Sequence, residues 1–137
     1  MRASLRIRLL RGGGVSLIIL GLVHLLATPH IATLLRRSTT PAVGEWLTPP
    51  MLLNHVLVGV LLIPLGYLTL YAAPDAVRGS SWAQVTVRTV SISAASLPIA
   101  IFSLMGKPYF LDAPLFLLGA SLTVAAVLVL LVAAFSN

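Results

Sequence analysis

Residues 113–135 read APLFLLGASLTVAAVLVLLVAAF, from Ala113 to Phe135, without one charged side chain. A helix needs roughly 20 apolar residues to cross the hydrocarbon core of a bilayer. This run has that length, and it lacks the short polar–apolar alternation of a membrane β-strand. Lipid offers the backbone no hydrogen-bond partners, so the segment must satisfy its own as a helix. Three runs of the same character precede it, at Gly14–Leu35, Met51–Ala73 and Gln84–Met105. The expected fold is an all-α integral membrane protein, a single domain over residues 1–137 with four transmembrane helices.

Composition points the same way. Of 137 residues, 58% are hydrophobic and 9% charged, against about 25% charged in soluble domains. The mean hydropathy is +1.04. A water-soluble fold could not cover so much apolar surface. The net charge of +6 comes from basic residues scattered around the apolar runs. They form no patch interleaved with exposed aromatics, which single-strand binding needs, so nucleic acid is not an expected partner. The lipid bilayer is, with its anionic headgroups drawing the basic residues.

Turn-forming residues mark the linkers: Arg36–Pro50, Pro74–Ser81 and Gly106–Asp112. Short linkers make consecutive helices antiparallel neighbours, which predicts an up-down-up-down bundle. Arg2, Arg6, Arg8, Arg11, Arg78 and Arg88 fall at one end, and Arg36, Arg37 and Lys107 at the other. The richer side is cytoplasmic by the positive-inside rule, so both termini are expected in the cytoplasm of an inner-membrane protein. Trp46, Tyr109 and Phe110 would mark the outer interface, and Tyr67, Tyr71 and Trp82 the inner one. Arg88 lies within the third span, and its long side chain can snorkel to the inner headgroups. The basic, then apolar, N-terminus imitates a secretory signal. Its apolar run exceeds a signal core, and His30 would occupy the −3 position of a cleavage before Thr33, so it is expected to remain as the first span.

Membrane helices associate through small residues. Each span offers a stripe at spacings of three and four: Gly14, Gly21, His24 and Thr28; His55, Gly59, Gly66 and Thr69; Thr89, Ser93, Ser96, Ala100 and Ser103; Gly119, Thr123, Ala126 and Ala133. All four are expected to face the bundle interior. Pro29, Pro64 and Pro98 each free the carbonyl four residues earlier and predict kinks.

The chain has three histidines, no cysteine and only three acidic residues. His24 and His30 are in the first run and His55 in the second, and an ionisable group inside a membrane is a candidate site. At 1.5 Å per residue, His30 and His55 have similar depth below the outer surface, while His24 is about 9 Å deeper. Depth therefore pairs His30 with His55, and the small-residue faces pair His24 with His55. Three readings compete. Neutral imidazoles could ligate a haem of the b type, using His55 with His30 or His24. His30 and His55 with Asp112 or Glu45 could hold a divalent metal, since the ligand types are right. Alternatively, the rings hydrogen-bond to facing helices as structural groups.

Catalytic patterns are weak. No carboxylate lies inside a span, which disfavours a Ser-His-Asp arrangement and an ion-coupled carrier. Neither H-E-x-x-H nor a phosphate loop is present. The sequence thus leans towards a non-catalytic accessory subunit of a larger inner-membrane complex, with other membrane subunits as partners. A histidine-based redox component is second and a small-molecule carrier third.

Overall fold

The computed structural model describes residues 1–38, 40–104 and 114–136. It has four helices: α1 (Ala3–Ser38), α2 (Pro41–Val77), α3 (Ser81–Leu104) and α4 (Pro114–Phe135). All four are long and apolar enough to span a membrane. Each packs on its neighbours in sequence, and α4 closes the ring against α1. Both ends of the chain meet at one end of the bundle, where Arg6 reaches Ala133 and Ala134.

The first two helices are much longer than the spans read from hydropathy. α1 has 36 residues and α2 has 37, about 54–56 Å each, against a hydrocarbon core of about 30 Å. The stretch Arg36–Pro50, read as a linker, is mostly helix. α2 starts with Pro41 in its first turn, where a missing N–H costs nothing. It then continues through Pro49, Pro50, Pro64 and Pro74. α3 and α4 have 24 and 22 residues. All four helices are level at the Arg6 end, so at the opposite end the α1–α2 hairpin outruns the described residues of the other pair. Between α2 and α3 the chain turns at Gly79, whose φ of +91° is costly for any residue with a Cβ.

The α1–α2 contact is built on glycine. A Cβ on Gly21 would stand 2.7 Å from the Gly59 carbonyl oxygen, and one on Gly59 would stand 2.9 Å from that of Gly21. Gly14 and Gly66 are related in the same reciprocal way. Glycines seven apart on both antiparallel helices put the same face together every second turn, the repeat of a left-handed crossing. Buried positions on each helix continue that three-and-four spacing. One core layer joins Leu10, Ala72, Ala73, Ala76, Ala83, Val87, Ala133 and Ala134. A second joins Leu17, Leu20, Leu62, Val90, Ala94, Ala126, Val127 and Leu130. Buried hydroxyls satisfy themselves within their own helices: Thr69 donates to Leu65, Ser91 to Val87 and Thr123 to Gly119 carbonyl oxygens.

Two arginines expected near headgroups are tied into the bundle. Arg6 is 8% exposed. Its Nε donates to the Ala133 carbonyl at 2.9 Å, and its terminal nitrogens donate to Ala76 and Ala134, both at 3.4 Å. Arg88 does not simply snorkel. Its Nε donates to the Ala134 carbonyl at 3.4 Å, and its guanidinium lies 5.5 Å from the Phe135 ring centre. The ends of α2 and α4 present carbonyls that lack a partner within the helix, Ala76 also accepting from the Gly79 N–H, and the negative pole of the helix dipole. Guanidinium groups answer both needs without an acidic residue. Arg6 also stands on the line of Leu10 and Leu17, a position on the seam that charge alone disguises.

The small-residue stripes of α1 and α2 face the interior, as does that of α4 from Thr123 onward. The stripe of α3 does not. Thr89, Ser93, Ser96, Ala100 and Ser103 are all exposed, and the buried face of α3 is Ala83, Val87, Val90, Ser91 and Ala94. Alanine and valine fit the tight inner layers, leaving the hydroxyl-rich flank outside. At the Arg6 end, Tyr67, Tyr71 and Trp82 form an exposed row, with ring centres 6.4 and 6.0 Å apart, as an interfacial belt requires.

Candidate functional site

The tight core stops one turn short of the histidines. No residue of α1 beyond Gly21, and none of α2 before Gly59, is fully buried among the described residues. His24 is the next seam position after Gly21, and His55 the one before Gly59. The close glycine contact therefore sets how near these two side chains must come. Their ring centres are 4.8 Å apart, with the planes inclined by 34°.

The two rings are held differently. His24 Nδ1 donates to the Leu20 carbonyl oxygen, one turn back on its own helix, at 2.9 Å. In the neutral ring that leaves Nε2 with the free lone pair. Thr28 Oγ1 donates to the His24 carbonyl at 2.9 Å, which anchors the backbone beside the site. His55 Nε2 is enclosed and has no hydrogen-bond partner among the described residues. The expected bonds from histidine to a facing helix are replaced, at His24, by a bond within α1.

Helix phase decides the pairing in favour of His24 over His30. His30 is exposed and turned away from the pair, about 120° round α1 from His24. Glu45 is also exposed, on the protruding part of α2 and about 15 Å along the helix from His55. Asp112 lies outside the described residues, as do Lys107, Tyr109 and Phe110. Among the described residues no three His, Cys, Asp or Glu side chains converge on one point.

The separation also bears on a macrocycle. Two imidazoles on opposite sides of one iron have ring centres about 6 Å apart, given metal–nitrogen bonds near 2 Å. At 4.8 Å the rings touch, and a haem between them would require the seam to open.

Comparison with known protein families, curated proteins and solved structures finds no match to this chain. The site has two imidazoles in contact, one orphaned ring nitrogen, and no carboxylate beside them among the described residues.

Proposed function

We propose that this protein is a non-catalytic accessory subunit of a larger inner-membrane assembly, docked through the exposed flank of α3. The observation that carries this reading is the outward stripe Thr89, Ser93, Ser96, Ala100 and Ser103. Lipid tails gain nothing from hydroxyls and pack best on Leu, Val and Ile. Small residues at alternating spacings of four and three are what a second helix needs for close backbone approach. Ser96 Oγ already donates to the Ser93 carbonyl at 2.7 Å, so that hydroxyl sits on the helix at little desolvation cost to a docking span. The double variant Ser96→Leu/Ala100→Leu should leave helicity and melting temperature unchanged, because both positions are exposed. It should remove the proteins that copurify after mild detergent extraction. A wild-type protein that emerges as a lone chain would defeat the reading.

Both termini are cytoplasmic in this proposal, since the arginine-rich end belongs inside. The chain has no cysteine, which makes the orientation easy to test. A cysteine replacing Gly44 should react with an impermeant maleimide in right-side-out vesicles. One replacing Ser4 should react only in inverted vesicles. The reverse pattern would turn the protein over.

A further inference from the structure

We propose that His24 and His55, together with Met51, bind a single copper(I) ion within the membrane. The proposal is independent of the docking flank of α3. It begins from the enclosed Nε2 of His55, which has no hydrogen-bond partner among the described residues. An unsatisfied buried polar atom is costly, and it calls for a ligand or ion to explain it. The second imidazole is already in place. Because His24 commits Nδ1 to Leu20, its other nitrogen keeps a lone pair for a metal, the usual arrangement for a ligating histidine. Ring centres 4.8 Å apart suit one ion held at a bent angle of about 100°. That angle leaves room for a third ligand.

Spacing makes Met51, exposed on α2, the candidate for that ligand. It precedes His55 by four residues, and such pairs share a helix face with Cβ atoms about 5–6 Å apart. The Cα–Cβ bond of His55 leans towards the helix N-terminus, hence towards Met51. Imidazole with thioether is a soft to borderline set that suits copper(I), whereas alkali and alkaline-earth ions seek oxygen.

Charge selects the oxidation state. None of the three ligands is an anion, and Glu45 is exposed and a long way along α2. A divalent ion would bring its full charge into an apolar seam, and the desolvation penalty grows roughly fourfold from a single to a double charge. Copper(I) brings one charge, so zinc(II) and copper(II) are disfavoured here. The proposed event is binding alone, with no change in oxidation state.

The test is an anaerobic titration of the full chain in detergent with copper(I) bicinchoninate, whose colour is lost as the protein takes the metal. One equivalent per chain should transfer, and X-ray absorption should show nitrogen and sulfur neighbours. His55→Ala and His24→Ala should each weaken binding about 100-fold, and Met51→Leu about 10-fold. His30→Ala should bind like wild type, and circular dichroism checks that each variant is folded. Failure of the wild type to take copper from bicinchoninate would overturn the proposal. So would equal loss in His30→Ala, or displacement of the copper by equimolar zinc(II).

Discussion

Gly21→Ala and Gly66→Ala should each destabilise the bundle by about 1–3 kcal/mol, while Gly12→Ala should be neutral or stabilising by up to about 1 kcal/mol. The same chemical change thus has opposite signs on one face of a helix and another. A methyl group at Gly21 would meet the Gly59 carbonyl oxygen at 2.7 Å and Ile63 at 2.8 Å. At Gly66 it would meet the Gly14 carbonyl oxygen. A carbonyl locked into a helix cannot step aside as a flexible side chain can, so α1 and α2 must separate. At Gly12 nothing lies within 4 Å of the added carbon, and only the gain in helix propensity remains. Reversible unfolding in mixed micelles, followed by circular dichroism, measures all three. Gly21→Ala should also pull His24 from His55, since the glycine contact sets their spacing. Equal stability of Gly21→Ala and Gly12→Ala would show that α1 and α2 do not pack through these glycines.

Arg6→Ala should cost about 2–4 kcal/mol, because it strips hydrogen bonds from the Ala76, Ala133 and Ala134 carbonyls together. Those three carbonyls belong to two helices, and α1 supplies the group that joins them. Arg6→Lys should recover only part of the loss. An ammonium keeps the charge opposite the helix dipoles but lacks the planar fork that reaches several carbonyls at once. Arg8 provides the contrast. It is exposed and, among the described residues, donates to the Ser4 carbonyl of its own helix, so Arg8→Ala should change stability by less than about 0.5 kcal/mol. The same unfolding assay reads both. If Arg6→Ala proves as mild as Arg8→Ala, the clamp contributes nothing.

Both arginines count alike in the sequence, as basic residues near the first span. What separates them is position on the seam, with Arg6 one turn before Leu10 and in line with Leu17. The signal is present in the spacing, yet charge reads first as topology. The histidines show the reverse situation. Depth favoured His30 with His55, and the small-residue face favoured His24 with His55. The face was the better guide, because residues on different sides of a helix cannot meet whatever their depth.

Hydropathy and spacing determined much of this protein by themselves. Four apolar runs require four helices, since lipid leaves the backbone no other partner. Short connections make them antiparallel, and the glycines of α1 and α2 declare the face on which they meet. Helix ends were not legible, because Pro41, Pro49 and Pro50 resemble a linker until tertiary structure extends α2 through them. Nor was the outward turn of the α3 stripe. Small hydroxyl residues suit either side of a membrane helix, and only the fit of Ala83, Val87 and Ala94 against the neighbouring helices α2 and α4 chose which side went in. The contact between His24 and His55 was decided in the same way, by two backbones approaching as closely as glycine allows.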